Sequence, residues 1–412
     1  MNRNNSFWKR FIEKLQPASQ TFLQDELRKD WGLNIYFVHP FSSEEVTYAS
    51  MLGRVLESSC ERYPTLLSIT RREEELYGSH FYTNVESFGE HLVIGFYLRA
   101  LRDEYVSDTL SREVVEYISE ILFSPHVEGE GFSAEIFEVE KERLLDAMAS
   151  FKKDPMNLAY AGALKGCVEG ELSLLPMEQA EVLEKMTPKS LYEYYLKLFA
   201  NAPCHLVVKG MGNDASEGSI PLLAPFLPDF LPGADPVEKG DFAQSVMVQM
   251  YTTSLRAGDP DTLPLYLFTM LWGEGAFSRL FETVREEMGL CYGISADYSR
   301  SLSLVSVSVA FLQKEHTKLS DAIRDSLEIL RKEGVSQDAF EGIKAEVRSS
   351  MISRKEGIGS EMSTVFYRSL LGESISIEER LKRLDNITQE EVLKAAQTLV
   401  YHSSFSILGG DL

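Results

Sequence analysis

Length, composition and charge narrow the class of this protein before any motif is considered. At 412 residues the chain exceeds what one hydrophobic core usually supports, so two domains or one duplicated domain are expected. Its hydrophobic content of 44% and aromatic content of 11% indicate a folded protein. A formal net charge of -22 argues against binding to nucleic acid or to an anionic membrane surface, because both require clustered Lys and Arg.

The sequence contains no clear signal for export or membrane insertion. Its first twenty residues are basic but lack the apolar core and small-residue cleavage site of a secretory signal, and no apolar run is long enough to span a bilayer. We therefore expect a soluble cytoplasmic protein, with an organelle-targeting segment as the alternative because residues 8–15 are partly amphipathic. Four scattered cysteines without a C-x-x-C pair predict reduced thiols.

The first half of the chain alternates strand and helix signals. In chain order, the predicted elements are a strand at 34–40, a helix at 44–58, antiparallel strands within 72–98, a helix capped by Ser133, and a helix capped by Thr187 that leads into a strand at 205–210. The segment 212–241 that follows is rich in Pro and Gly, which favours an extended linker.

The second half repeats this order of elements. Its predicted elements are a strand at 245–253, a helix at 261–272, strands within 285–311, a helix capped by Ser336, and a helix capped by Thr388 that leads into a strand at 405–410. When 72–98 is laid over 285–311, the strand alternation stays in register. The apolar positions Leu92, Ile94, Phe96 and Leu98 fall on Val305, Val307, Val309 and Phe311.

These patterns predict an α+β fold of two homologous domains. Each domain is expected to have an antiparallel or mixed sheet with helices packed on one face. The predicted boundaries are 1–211 for the first domain, 212–241 for the Pro-rich linker and 242–412 for the second domain. Chance similarity between two amphipathic α+β segments is the alternative explanation of the repeat.

One short segment, SRLFETVREEMGLCYG at 278–293, combines three features around a single turn. Arg285 ends a predicted amphipathic helix whose apolar positions are Leu280, Phe281, Val284 and Met288. Gly289 supplies a left-handed stop, and Tyr292 opens a strand. A purely structural interpretation is also available, in which Arg285 offsets the helix dipole and pairs with a neighbouring Glu while Tyr292 packs half-buried.

The longer segment GEGAFSRLFETVREEMGLCYGISA at 273–296 resembles the second-domain signature of the insulinase (pitrilysin) family of zinc metallopeptidases, which includes processing peptidases. The resemblance extends over nearly the whole chain. It implies that Arg285 and Tyr292 contact substrate next to the scissile bond. Gly273 and Gly275 resemble a short form of the substrate-sensing glycine loop of inactive processing-peptidase subunits, with a plain loop between helices as the alternative.

The metal motif of that family is missing. Active members carry H-x-x-E-H on the first helix of their first domain, and neither this motif nor H-E-x-x-H occurs in the chain. The equivalent positions within 47–65 hold Ser50, Gly53 and Arg54, which can neither bind zinc nor act as a base. We therefore expect no catalytic residue and no bound cofactor in this chain, and the resemblance implies that a partner chain binds the zinc.

The resemblance implies a non-catalytic, substrate-binding subunit of a heterodimeric zinc metallopeptidase. Such a subunit supplies Arg285 and Tyr292 in trans to a homologous chain that bears zinc, and it is not expected to be active alone. A purely structural or peptide-binding homodimer of the same fold is the alternative. In the first case a peptide can add as a strand to an exposed sheet edge.

Overall fold

The computed structural model describes residues 6–25, 28–107, 109–211, 218, 220, 222–274, 278–373 and 376–410. Its strands are β1 (Ser19–Leu23), β2 (Asp30–Pro40), β3 (His80–Phe88), β4 (His91–Leu101), β5 (Val127–Glu128), β6 (Gly131–Phe132), β7 (Cys204–Lys209), β8 (Val237–Lys239), β9 (Ser245–Thr252), β10 (Cys291–Ser299), β11 (Leu304–Phe311) and β12 (Val400–Leu408). Its α-helices are α1 (Ser6–Leu15), α2 (Ser43–Ser58), α3 (Leu66–Glu75), α4 (Leu110–Phe123), α5 (Ala134–Phe151), α6 (Pro155–Cys167), α7 (Ala180–Lys185), α8 (Pro188–Asn201), α9 (Thr262–Gly273), α10 (His316–Glu333), α11 (Gln337–Glu356), α12 (Ile358–Leu370), α13 (Ile377–Asn386) and α14 (Gln389–Ala396).

Two larger sheets share one topology. Counted from the edge where two strands run parallel, the first has the order β1-β7-β2-β4-β3 and the second β8-β12-β9-β11-β10. In both, the first pair is parallel and the following described pairs are antiparallel. This confirms the predicted α+β fold built from a repeated unit.

The chain divides into two compact units that do not follow the sequence halves continuously. One unit contains 1–148, 176–222 and 354–370, and the other contains 149–175, 223–353 and 371–412. Each unit therefore includes one helix from the opposite half of the sequence. That helix is α12 in the first unit and α6 in the second.

The predicted strand alternation places apolar residues on the core face of each sheet. Fully buried side chains at alternate positions of β4 and β11 contribute to the two main cores. These residues are Leu92, Ile94, Phe96 and Leu98 in β4, and Val305, Val307, Val309 and Phe311 in β11. Because a one-residue slip would turn each set to the opposite face, the place of both sets in the main cores supports the alignment of the halves.

The opposite faces of the two sheets differ in chemistry. In the first unit, α12 covers polar groups: Asn34 donates to the Tyr36 hydroxyl at 2.6 Å, and Tyr36 in turn contacts Ser363 Oγ at 3.1 Å. Buried Lys209 pairs with Asp25 at 3.0 Å and with Glu361. In the second unit, α6 packs on an apolar face. The buried residues of that cluster are Ala159, Ala163, Leu164, Cys167, Val168, Val246, Val248, Met250, Leu304 and Ile407.

The repeat extends to individual side-chain contacts. Lys141 on α5 donates to the carbonyl oxygens of Glu184 and Met186 at 2.8 and 3.1 Å. Lys344 on α11 donates to those of Asp385 and Ile387 at 2.9 and 3.2 Å. In both units these carbonyls lie at the end of the helix before a threonine-capped helix, and both Thr187 and Thr388 form capping boxes.

The N-terminal helix and the cysteines belong largely to the packed interior. The apolar face of α1 buries Trp8, Phe11 and Leu15 in the first core. All four cysteines are free thiols, and Cys291 is the partly exposed one. None of the described helices has both the length and the apolar character needed to cross a membrane.

Candidate functional site

The segment predicted to end an amphipathic α-helix at Arg285 adopts a wider turn. Phe281–Glu287 is π-helical, and the Met288 amide donates to the Thr283 carbonyl, five residues earlier, at 3.0 Å. Val284 is fully buried as predicted. Met288 is 44% exposed, so the prediction that it belongs to the buried apolar face of a helix was wrong. The wider turn changes the rotation per residue, which carries Met288 away from the core.

Arg285 has few partners in this turn. Its Cζ lies 4.4 Å from the centroid of the Phe281 ring, and its Nε lies 3.6 Å from a carboxylate oxygen of Glu286. The side chain is 39% exposed. Among the described residues no atom accepts a hydrogen bond from its guanidinium. Its N–H donors therefore have no hydrogen-bond acceptor within the described part of the chain.

Gly289 and Tyr292 shape the entry into β10. Gly289 has φ of +61°, as its predicted role in stopping the helix requires. The pairing of β10 with β11 is irregular between Cys291 and Gly293, so Tyr292 sits in a bulge. Its side chain is 55% exposed rather than half-buried in packing.

Strand β10 lies at an edge of its sheet. It pairs with β11 on one side, and no strand within the described part of the chain pairs with its other side. The backbone N–H and C=O groups along such an edge can pair with an added strand. Tyr292 and Arg285 therefore lie at one end of a potential strand-binding edge.

The corresponding arginine in the first unit has a different environment. In the alignment of 72–98 with 285–311, Arg72 falls on Arg285. Arg72 donates to Glu113 at 2.8 Å and to Glu75 at 3.1 Å, and its side chain is 19% exposed. The hydrogen bond from Arg72 holds the pKa of the Glu113 carboxyl below its usual value. Arg72 is thus occupied by intrachain ion pairs, unlike Arg285.

The two glycines of the predicted substrate-sensing loop are Gly273 and Gly275. Gly273 is the buried last residue of α9, and a Cβ there would lie 2.7 Å from the Ala296 backbone nitrogen on β10. Glycine is therefore needed for the close approach of helix and strand. Gly275 lies outside the described residues. A contact of either glycine with substrate stays a prediction.

The positions equivalent to the metal motif do not form a zinc site. Ser50 donates to the Val46 carbonyl of its own helix at 2.8 Å. A Cβ on buried Gly53 would collide with the Thr83 hydroxyl and lie 3.0 Å from Thr83 Cβ. Arg54 brings a positive charge to the same face. These residues do not fit a zinc ion, which needs about three donors among His, Cys and carboxylate.

A carboxylate one turn further along this helix is hydrogen-bonded to strand β3. Glu57 Oε1 accepts from both the backbone N–H and the hydroxyl of Thr83, each at 2.6 Å. Burial raises the pKa of the Glu57 carboxyl, and the Thr83 hydrogen bonds oppose that rise. Over the described residues, no group of three or more His, Cys, Asp or Glu is arranged to hold a metal ion.

Phe281 is the site residue that the sequence did not reveal. It was assigned only to the apolar face of a helix, yet its ring supports the Arg285 guanidinium. The spacing of four residues between an aromatic ring and a cation was the available signal. The same spacing places Lys141 over Phe137 and Lys344 over Phe340, at 5.5 and 5.1 Å from the ring centroids.

The chain is similar to known inactive and zinc proteases. Residues 189–347 match the model of the Peptidase M16 inactive domain. The chain is 21% identical over 405 residues to a Bacillus subtilis protein named probable inactive metalloprotease YmfF, covering 94% of this chain and 95% of that protein. It is 25% identical over 290 residues to an uncharacterized zinc protease of Mycobacterium tuberculosis, covering 65% of this chain and 66% of that protein.

Solved structures share the fold. A conserved protein from Enterococcus faecalis has a TM-score of 0.85 at 22% identity, with 95% of this chain and 96% of that chain covered. A peptidase M16 inactive domain from Pseudomonas fluorescens has a TM-score of 0.77 at 15% identity, with the same coverage. The domain match and the similar proteases confirm the resemblance seen in the sequence: residues 189–347 match a Peptidase M16 inactive domain, and the chain, which lacks H-x-x-E-H, is similar to zinc peptidases of the insulinase (pitrilysin) family.

Proposed function

We propose that this chain is the non-catalytic, substrate-binding subunit of a heterodimeric zinc metallopeptidase. A homologous partner chain holds the zinc ion and the general base, and this chain supplies Arg285 and Tyr292 in trans. We place the pair in the cytoplasm. The observation that carries the proposal is that Arg285 is partly exposed, makes no described side-chain hydrogen bond and stands beside an edge strand.

Each residue has a chemical task in this proposal. The guanidinium of Arg285 donates in-plane hydrogen bonds to a peptide oxygen and holds the substrate in place. The Tyr292 hydroxyl, exposed on its bulge, donates to the oxyanion that develops when the scissile carbonyl is attacked. The partner's zinc supplies the activated water for that attack. The present chain therefore binds and orients, while the reacting oxygen comes from the partner.

In this proposal the substrate peptide binds along the edge of β10. A peptide that adds to this edge is extended, and backbone pairing supplies affinity with little dependence on sequence. Arg285 and Tyr292 then act at one end of the added strand. Gly273, and Gly275 beyond the described residues, are proposed to contact the same peptide.

Reconstitution tests the proposal. The chain is purified alone, mixed with a homologous chain from the same genome that encodes H-x-x-E-H, and assayed with an unstructured peptide together with metal analysis of each protein. We expect hydrolysis in the mixture, zinc in the partner and neither property in this chain alone. Hydrolysis by this chain alone with stoichiometric metal would overturn the proposal.

The alternative of a structural or peptide-binding homodimer makes a different prediction. It expects this chain to form a stable pair with itself and to leave the activity of every H-x-x-E-H homologue unchanged. Co-purification and sedimentation of the mixture therefore distinguish the two. A partner that is fully active without this chain would favour the homodimer.

A further inference from the structure

Within the described residues, three pairs of an aromatic ring and a cation have the same spacing of four residues. They join Phe137 to Lys141, Phe340 to Lys344 and Phe281 to Arg285. In the first two pairs the cation lies over the ring and donates hydrogen bonds to two backbone carbonyl oxygens at a helix end. In the third pair the guanidinium lies closer to its ring, and the described residues provide it with no carbonyl.

We infer that Phe281 is a positioning residue that presents the edge of the Arg285 guanidinium to backbone carbonyl oxygens of a bound peptide. The inference rests on the proposed function, because the missing carbonyls are those of the substrate. It assigns the recognised group as the peptide backbone rather than an acidic side chain. Binding through Arg285 is then insensitive to substrate charge.

The chemistry of the pair supports this role. An aromatic face attracts the flat side of a guanidinium and leaves all five in-plane donors unused. A carboxylate partner would instead consume those donors, as Glu75 and Glu113 do for Arg72. Among the described residues, the carboxylate that forms an ion pair with Arg285 is that of Glu286, at 3.6 Å from Nε, which is beyond hydrogen-bond distance. Phe281 therefore restrains the arginine without blocking it.

The π-helical turn contributes to this arrangement. It spans Phe281 to Glu287 and so contains both members of the pair. Such wide turns are rare and occur mostly as single turns, frequently at functional sites. Phe281 is only half-buried, so replacing it does not remove a central core residue, and its variants are expected to fold.

Two variants of the full chain test the inference. Phe281→Leu keeps an apolar side chain but removes the ring, whereas Phe281→Tyr retains the ring. NMR relaxation of the Arg285 Nε–Hε group measures its restraint, and turnover of a neutral and an acidic peptide measures function in the reconstituted pair. Because an exposed cation–π contact is modest, we expect Phe281→Leu to mobilise Nε–Hε and lower kcat about two- to fivefold. Phe281→Tyr should keep the Nε–Hε mobility and kcat of the unchanged chain. The neutral and the acidic peptide should show the same change in kcat for each variant.

The outcomes separate this inference from the proposed function. If Arg285→Ala strongly lowers turnover while Phe281→Leu changes neither Arg285 mobility nor turnover, the positioning role is wrong and the proposed function stands. If Arg285→Ala leaves turnover intact, the proposed function fails, and the NMR measurement still reports whether Phe281 restrains Arg285. A loss confined to the acidic peptide would overturn the assignment of backbone carbonyls. Equal melting temperatures of the two Phe281 variants serve as the control for folding.

Discussion

The turns around Arg72 and Arg285 occupy matching places in two units of one topology, and they use their arginines in opposite ways. Arg72 is held by Glu113 and Glu75 and is largely shielded, whereas Arg285 lies over the Phe281 ring and has no hydrogen-bond acceptor among the residues that the structure describes. The strand after the first turn begins with a regular pairing, but the strand after the second begins with a bulge that exposes Tyr292. The comparison shows that a repeated backbone can carry a structural arginine in one copy and an available one in the other.

The largest expected effect follows from removing the available arginine. Arg285→Ala in the reconstituted pair should cost about 1.5–3 kcal/mol of transition-state stabilisation, as expected for a lost hydrogen bond to a charged group. Steady-state kinetics measure this as a fall in kcat/KM, and metal analysis should show unchanged zinc in the partner. The matched control is Arg72→Ala, which should retain turnover. Equal losses from both variants would remove the distinction between the two turns.

In both units a helix packs closely against an edge strand through a glycine. Gly53 of α2 faces Thr83, and Gly273 of α9 faces Ala296. Gly53→Ala should destabilise the protein by about 1–3 kcal/mol through overpacking. Denaturant unfolding measures the change. The loss of unfolding free energy caused by Gly53→Ala should be smaller when Thr83 is also changed to Ala. An equal loss in both backgrounds would show that the added methyl group does not collide with Thr83.

The left-handed glycine of each turn gives a smaller effect. Gly289 has φ of +61° and Gly78 has φ of +75°, and a Cβ at either position meets no atom within 4 Å. Each glycine-to-alanine change should therefore cost about 1–2 kcal/mol of stability from backbone strain alone. Thermal unfolding of both variants checks this. Only Gly289→Ala should also lower turnover in the reconstituted pair, because Gly289 lies between Arg285 and Tyr292.

The smallest expected effect concerns pH and the occupied arginine. Arg72 lowers the pKa of the Glu113 carboxyl, so this pair stabilises the fold above the ordinary glutamate pKa of about 4.3, and the gain is lost as pH falls through the lowered value. Since Glu113 is 36% exposed, Arg72→Ala should cost only about 0.2–1 kcal/mol at neutral pH. Urea unfolding should show this difference vanish in strong acid. A difference that grows with acidification would contradict the assigned ion pair.

Much of the fold could be predicted because its signals are local. Alternating apolar residues in 92–98 and 305–311 indicated the strands and their buried faces, and Thr187 and Thr388 indicated helix starts. The placement of α6 and α12 on sheets of the opposite half was not predicted, because it depends on contacts remote in sequence. A polar set such as Asn34, Tyr36 and Lys209 does not reveal from sequence which helix will cover it.

The candidate site was predictable to a similar degree. The order Arg285, Gly289, Tyr292 indicated a helix end, a turn and a strand, and the structure has these features in that order. The π-helical turn, the bulge and the exposure of Met288 were not predicted. Helical periodicity assumes 3.6 residues per turn, so it cannot anticipate a local change of pitch.

The contact between this chain and a peptide in the presence of the zinc-bearing partner is the most direct test of the account. A photoreactive benzoyl-phenylalanine placed at position 292 is irradiated with a labelled peptide that the reconstituted pair cleaves, and the same probe at position 77, where exposed Tyr77 lies in the other unit, serves as control. The account predicts a cross-link between position 292 and the peptide but none from position 77. Turnover of the peptide by the pair that retains Tyr292, without any cross-link from the probe at position 292, would contradict it.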